Sequence, residues 1–271
     1  MSEHAKKTCM VKRFLITLVT LVFLSLPFGG PDASGFNWYS ALKAGVKAYK
    51  AYTLTDEDVV AYVKQGINYL DSKNKVLSET NPYTVRLRKL TAGMKKVGTT
   101  PLNFKVYEVK KEVNAFACAD GSIRVYTSIM DLMTDDELLG IIGHEIGHIG
   151  KQHSKKSIKN ELMTGALRDM LSSYDNTLGA LAESQLGSLG EMMINAKYSR
   201  KQETEADDYG YDFLKKNGKN PRNMAKALEK LQTLEQKYSG SGRYLLTLFS
   251  SHPETKKRIA HIQERCKKDG Y

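Results

Sequence analysis

The chain has 271 residues, of which 41% are hydrophobic and 26% are charged. This composition excludes a disordered chain and a fibre, and the length is sufficient for a core that needs no disulfide framework. Lysine and arginine outnumber aspartate and glutamate by 41 to 30, for a net charge of +11, but no nucleic-acid-binding motif accompanies them, so we expect no nucleic-acid partner.

The first thirty residues have the pattern of an export signal. Lysines and arginines precede an apolar run over 14–26, and prolines and small residues follow it. This run is shorter than the roughly twenty residues that a spanning helix needs, which favours a cleaved signal peptide over a permanent anchor. We therefore expect 1–30 to be a signal peptide. The mature protein is then soluble in the periplasm or cell envelope, with at most peripheral membrane association.

Two cysteines, Cys118 and Cys266, lie beyond this segment. Two distant cysteines do not define a disulfide framework. Each is compatible with a buried apolar residue, and the sequence leaves open whether the two pair.

Residues 36–97 are predicted to form a helical N-terminal scaffold, within a single domain over 31–271. Thr55 begins a capping box, after which apolar residues recur at three-to-four spacing as far as Leu70. Asn81 and Pro82 mark a second helix start. Its apolar stripe continues to Val97, so this helix is predicted to end at the following glycine.

The hydrophobic period then changes to two. Apolar and polar residues alternate over 102–110, which predicts a half-buried strand. Residues 113–119 and 123–127 flank the turn pair Asp120-Gly121, which is the pattern of an antiparallel hairpin. A small sheet therefore precedes the rest of the chain.

After this sheet the chain is predicted to be helical, which makes the fold class α+β and mostly helical. The predicted helices cover 134–151, 191–216, 221–238 and 254–268. Residues 172–190, rich in Ser, Gly, Ala and Leu, form either a mobile flap or a poorly patterned helix.

The first of these helices contains His144, Glu145 and His148 in an H-E-x-x-H arrangement. Histidines four residues apart share a helix face, so both imidazoles can bind one metal ion. Glu145 faces the remaining coordination position, where it can act as general base for the attacking water. The alternative is a pair of core histidines, but a buried carboxylate without a metal would carry a desolvation cost. We therefore predict one Zn²⁺ per chain.

A catalytic zinc typically takes three protein ligands, so a third must come from downstream. Glu203 and Asp207 are four residues apart on a predicted helix and share a face. Glu203 is then the expected ligand, and Asp207 accepts a hydrogen bond from a ligand histidine and fixes its tautomer. Glu205 is the rival ligand.

Four motifs in this order resemble the zinc metallopeptidases that include the CAAX prenyl protease, the HtpX-like proteases and soluble periplasmic relatives. They cover Asn114-Ala115-Phe116-Ala117, the H-E-x-x-H segment over 144–148, the acidic segment over 203–207, and Ser251-His252-Pro253 with Arg258. The resemblance implies a zincin-like (gluzincin) catalytic core over 98–271, with the active-site helix under the edge strand of the sheet. It also implies His144, His148 and Glu203 as zinc ligands, Glu145 as catalytic base and Asp207 as hydrogen-bonding partner of a ligand.

The segment Asn114, Ala115, Phe116 and Ala117 is the expected substrate-binding edge strand. An extended polypeptide can add to such an edge through backbone hydrogen bonds, with little demand on its side-chain sequence. The pattern alone is equally compatible with an ordinary sheet edge, and the resemblance favours substrate.

His252 is expected near the active site, in one of two roles. It either donates to the developing oxyanion or binds the metal as a fourth ligand and silences it. Arg258 holds His252 or the oxyanion, or else forms a surface salt bridge. His153, just after the H-E-x-x-H helix, is expected to be a surface or capping residue.

The sequence therefore predicts an exported zinc metalloendopeptidase that hydrolyses peptide bonds in misfolded or unfolded cell-envelope proteins. The quality-control role comes from the resemblance. The alternative is a non-enzymatic chaperone-like or assembly factor with a structural or silenced zinc site. Glu145 favours the enzyme, because a purely structural metal needs no base beside an open position.

Overall fold

The first two helices begin at the predicted capping residues. The computed structural model of the protein describes residues 54–164, 181–238, 251–252 and 255–271. In α1 (Asp56–Lys73), the Thr55 hydroxyl accepts from the backbone N–H of Asp58, and the Asp58 carboxylate accepts from that of Thr55. The Asn81 side chain caps α2 (Pro82–Leu90) by accepting from Tyr83 N–H.

Helix α2 is shorter than predicted. It ends at Leu90 rather than Val97, and Gly93 follows with a φ of 85°, a left-handed conformation that terminates helices. Val97 belongs instead to β1 (Lys96–Val97), which pairs antiparallel with β2 (Thr100–Pro101).

The predicted strand and hairpin are confirmed, and they form one three-stranded sheet. Its strands are β3 (Asn103–Tyr107), β4 (Ala115–Ala117) and β5 (Ser122–Tyr126). Their order is β3-β5-β4; β5 pairs parallel with β3 and antiparallel with β4. The hairpin turn needs Gly121, whose φ is 92° and where a Cβ would lie 1.8 Å from the Pro101 carbonyl oxygen.

The rest of the described chain is helical, as predicted. The helices are α3 (Thr127–Leu132), α4 (Asp135–Gly150), α5 (His153–Thr164), α6 (Glu183–Ile194), α7 (Arg200–Lys216), α8 (Arg222–Tyr238) and α9 (Thr255–Lys268). The single helix predicted over 191–216 is wrong, because a new capping box at Ser199 and Gln202 starts α7 separately from α6. Of the segment 172–190, residues 183–190 are helical, and 172–180 lie outside the described residues.

Helix α4 lies at the centre of the fold. Every residue from Glu137 to Ile149 is buried, and α4 packs against β4, α7 and α8. Its glycines allow α7 a close approach: a Cβ at Gly143 would lie 2.7 Å from Phe213 Cδ1, and one at Gly147 would lie 2.9 Å from Tyr209 Cβ. This close crossing brings the acidic face of α7 to the histidine face of α4.

The structure decides the pairing of the cysteines, which the sequence left open, whereas the compartment stays a prediction. Within the described ranges, no helix combines the length and apolarity needed to cross a bilayer. Cys118 and Cys266 are both buried free thiols rather than a disulfide. The signal peptide over 1–30 lies outside the described residues, so it stays a prediction.

Candidate metal centre

His144 and His148 lie one turn apart on α4 and face the same point. Their Nε2 atoms are 3.0 Å apart, and both rings are buried. Burial lowers the pKa of both imidazoles. The charge of Arg258 lowers the pKa of His144 further, and repulsion from the other histidines when they are protonated lowers that of His148 further. Neutral imidazoles keep a nitrogen lone pair available for a metal.

Glu203 reaches this point from α7. Its carboxylate oxygens lie 3.5 Å from His148 Nε2 and 3.7 Å from His144 Nε2. Burial raises the pKa of Glu203, but the charges of His252 and Arg258 outweigh it and leave the pKa below its usual value. Glu205, the rival ligand, is not part of this cluster, and its Oε2 lies 2.9 Å from His153 Nε2 instead.

The donor set fits zinc. His144, His148, Glu203 and His252 each offer one ligand atom, and these atoms all lie within 4.8 Å of one another. Imidazole nitrogen and carboxylate oxygen bind Zn²⁺ at about 2.0–2.2 Å, so tetrahedral ligands lie roughly 3.3 Å apart. Three separations are near that value: 3.0 Å for His144 to His148, 3.0 Å for His252 to Glu203 and 3.2 Å for His144 to His252.

Charge at the centre also fits a dication. Among the described residues, the carboxylates of Glu145, Glu203 and Asp207 are buried here beside the guanidinium of Arg258. When all three carboxylates are ionised and the histidines are neutral, as metal binding requires, these groups carry two more negative than positive charges. Uncompensated charge in a buried site is costly, and a bound Zn²⁺ would balance it.

Asp207 fixes the orientation of His144. Its Oδ1 lies 2.9 Å from His144 Nδ1, so Nδ1–H donates to the carboxylate and Nε2 is left to face the metal position. Burial raises the pKa of Asp207, but Arg258 holds it well below the usual range.

Arg258 of α9 is part of this buried network. It is 7% exposed, and it donates through Nε and Nη2 to the two carboxylate oxygens of Asp207 at 2.8 and 2.6 Å. Its Nη1 lies 2.9 Å from Glu203 Oε2 and 3.4 Å from the His252 carbonyl oxygen. The alternative of a surface salt bridge is therefore wrong.

His252 is buried within the cluster. Its Nδ1 lies 3.0 Å from Glu203 Oε1, and its Nε2 lies 3.7 Å from Glu145 Oε1. The geometry therefore brings His252 to the centre, as expected, and in this conformation places it as the fourth donor.

Glu145 lies on the side of the cluster nearest to the sheet. Burial raises its pKa to about 7, and a hydrogen bond from the Ala117 backbone opposes that shift. Its Oε1 has no hydrogen-bond partner among the described residues. A buried carboxylate oxygen without a partner is costly for folding, but it is free to accept a proton from a substrate water.

The edge strand β4 presents backbone groups beside Glu145. Tyr126 N–H donates to the Asn114 carbonyl and Cys118 N–H donates to the Ser122 carbonyl. Alternation along an antiparallel pair then directs the backbone groups of Ala115 and Ala117 to the other side of β4. No strand of the described chain pairs with that side.

Sequence reasoning missed two residues at this centre. His153 is 2% exposed rather than a surface residue, and its Nδ1 lies 3.1 Å from His148 Nδ1. The Tyr198 ring stacks on the His148 ring, with centroids 3.8 Å apart. Neither residue shares a helix with His148, so helical spacing gave no signal for them.

Comparison with known proteins identifies similar peptidases. The model of peptidase family M48 matches residues 82–266. Metalloprotease LoiP of Escherichia coli (strain K12) is 40% identical over 230 residues, which cover 84% of this chain and 88% of that protein. Metalloprotease YcaL of the same organism is 37% identical over 256 residues, covering 94% and 98%. A protease HtpX homolog of Salinibacter ruber is 29% identical over 180 residues, covering 56% and 63%.

Proposed function

The chain belongs to peptidase family M48 and is a zinc metalloendopeptidase, and we propose that it cleaves misfolded or unfolded proteins of the cell envelope. The mostly helical fold with small sheets is the zincin-like fold of this family. The observation that carries the proposal is the position of Glu145, between the metal-binding cluster and the edge strand β4, whose outer side pairs with no strand of the described chain.

His144, His148 and Glu203 are the residues that would hold zinc. When bound, the metal supplies Lewis-acid polarisation of the scissile carbonyl and lowers the pKa of the attacking water. Glu145 takes the proton of that water through its unpartnered Oε1 and passes it to the leaving amine.

The backbone of β4 supports recognition of extended polypeptides. The backbone groups of Ala115 and the carbonyl of Ala117 face the unpaired edge, while the Ala117 N–H donates to Glu145, so a substrate strand can pair there without a required side-chain sequence. Folded proteins rarely offer an unpaired strand, whereas unfolded segments do. Edge pairing would place the substrate backbone beside Glu145, which the Ala117 backbone contacts.

Export to the envelope is the second part of the proposal. It rests on the basic and apolar pattern of residues 1–30. Fractionation of cells that express the full chain, with the mature N-terminus determined by mass spectrometry, tests it. An envelope protein that lacks the leader is expected, and an uncleaved cytoplasmic protein would contradict it.

Degradation of casein by the purified chain from residue 31 tests the peptidase, with zinc content measured in parallel. Glu145→Gln should retain zinc and lose activity by about 10²- to 10⁴-fold, because the proton acceptor is removed while the ligands remain. Glu235→Gln, at an exposed position on α8, is the matched control and should cleave like wild type. Folded substrates of similar size should resist cleavage, and equal cleavage of folded and unfolded forms would refute the substrate proposal.

His252→Ala separates the two roles of His252. If His252 acts as a silencing fourth ligand, casein cleavage should rise when it is removed. If it donates to the oxyanion, kcat should fall by about 10²- to 10³-fold with little change in zinc content. Wild type and Glu145→Gln that both hold zinc without cleaving would favour the silenced, non-enzymatic alternative.

A further inference from the structure

We propose that His153, held by Glu205, is a positioning residue for the zinc ligand His148. The two side chains form a chain of contacts from the metal centre to the protein surface. His148 Nδ1 lies 3.1 Å from His153 Nδ1, and His153 Nε2 lies 2.9 Å from Glu205 Oε2. The proposal rests on His148 being a zinc ligand.

Proton placement along this chain has one consistent solution. His148 Nε2 is the nitrogen that faces His144 and Glu203, so it must keep its lone pair and Nδ1 carries the proton. That proton is donated to His153 Nδ1, which must therefore be unprotonated. His153 then carries its own proton on Nε2 and donates it to the Glu205 carboxylate.

Glu205 determines which nitrogen of His153 carries the proton, because an ionised carboxylate can only accept a hydrogen bond. Without it, a neutral His153 is free to carry its proton on Nδ1, which would oppose the proton on His148 Nδ1. His148 would then lose its hydrogen-bond partner or turn its ring. Glu205 therefore selects the tautomer of His153, and His153 selects that of His148.

Packing supports this arrangement from a second side. The Tyr198 ring stacks on His148 at an interplanar angle of 24°, so the imidazole is held on its face as well as on its edge. The Tyr198 hydroxyl is engaged with Ser154 Oγ at 3.2 Å, which fixes that ring in turn. The His148 ring therefore has little freedom to rotate once its Nδ1 donates to His153.

The two ligand histidines are thus oriented by different means. His144 is oriented by Asp207, which is buried and paired with Arg258. His148 is oriented through a neutral imidazole by Glu205, whose side chain is 37% exposed. Glu205 can therefore be replaced without leaving a hole in the core, which makes the proposal testable at a surface position.

Zinc affinity, measured by competition with a chromophoric chelator, is the main test. His153→Phe should weaken zinc binding by about 10- to 100-fold, the usual effect of losing a partner of a ligand histidine. His153→Asn should recover most of the loss, because Asn Oδ1 can accept the proton from His148 Nδ1. Glu205→Ala should weaken binding by about tenfold, at the lower end of the same range.

The controls separate positioning from general stability. Asp212→Asn, an exposed carboxylate on the same helix paired with Arg265, should bind zinc like wild type. Denaturant unfolding of the metal-free variants should give a wild-type midpoint for Glu205→Ala. The ¹⁵N NMR spectrum of the zinc-loaded wild type should show His148 protonated on Nδ1 and His153 on Nε2.

Three results would overturn the proposal. Wild-type zinc affinity in both His153→Phe and Glu205→Ala would show that the chain does not position His148. Equal losses in His153→Asn and His153→Phe would show that an acceptor is not what His153 supplies. A wild-type protein that binds no zinc would overturn the metal site itself, and this proposal with it. If His153→Phe fails to fold, Glu205→Ala still decides the question.

Discussion

Replacing Arg258 by methionine tests whether the buried ion network holds α9 against α7. The guanidinium donates to both carboxylate oxygens of Asp207 and lies 2.9 Å from Glu203 Oε2. Both carboxylates are almost fully buried. Methionine fills much of the aliphatic volume of arginine, so the change mainly removes the charge and its hydrogen bonds.

The expected loss of stability follows from what remains behind. Removing one partner of a buried ion pair costs about 3–5 kcal/mol, because the other charge stays buried without compensation. For a domain of this size, 1 kcal/mol corresponds to about 2–4 °C in Tm, so the midpoint should fall by roughly 6–20 °C. The change is best measured on metal-free protein, by thermal and by urea unfolding.

A double-mutant cycle with Asp207→Asn identifies the cause. Neutralising Asp207 removes part of the uncompensated charge, so the double variant should be less destabilised than the sum of the two single variants. Asp212→Asn is the control, because the Asp212 side chain is 63% exposed and its partner Arg265 lies two turns beyond Arg258 on α9, outside the buried network. A metal-free Arg258→Met protein within about 0.5 kcal/mol of wild type would refute the reasoning, as would additive effects in the cycle.

The remaining predictions concern packing, pH and thiol access. Gly143→Val should destabilise the protein by about 1–3 kcal/mol and weaken zinc binding, because its Cβ would lie 2.7 Å from Phe213 Cδ1; urea unfolding and zinc titration measure both. Burial raises the pKa of Asp71, but the hydrogen bonds from Arg124, Lys105 and Tyr107 together outweigh this, so the net pKa is lowered. The Asp71 carboxylate therefore stabilises the fold above its unfolded pKa, and this stabilisation is lost as the pH falls through its folded pKa. In urea unfolding, the free energy of unfolding of Asp71→Asn should therefore decline less steeply than that of wild type below about pH 4. Cys118 is buried and its pKa is raised, so a thiol reagent should modify it only after unfolding, as peptide mass spectrometry would show.

Each of these predictions has an outcome that contradicts it. Wild-type stability in Gly143→Val would mean that α4 and α7 can separate without cost. If the free energy of unfolding of Asp71→Asn falls with pH as steeply as that of wild type, other carboxylates cause the loss of stability in acid. Fast modification of Cys118 in the folded protein would mean that β4 opens readily.

The sequence by itself determined the local elements of this protein. The capping boxes at Thr55 and Thr134 each start a helix, because capping depends on residues three apart in the chain. The box at Ser199 starts α7 in the same way, although the helix predicted over 191–216 overran it. The metal-binding histidines were predictable for the same reason, since four-residue spacing on a helix fixes their common face. The hairpin at Asp120-Gly121 likewise follows from a two-residue turn signal.

Only the tertiary structure decided which distant groups meet. The strand β3 was predicted, but its parallel pairing with β5 depends on the path of the chain between them. Glu203 and Glu205 are both acidic residues on α7, and the close crossing of α7 over α4 determines that one faces the histidines and the other faces His153. The sequence left open whether Arg258 acts at the active site or forms a surface salt bridge, and the packing of α9 against α7 buries it on Asp207. Sequence spacing encodes contacts within one helix or hairpin, whereas these contacts join positions about fifty residues apart, whose meeting is set by how helix surfaces pack.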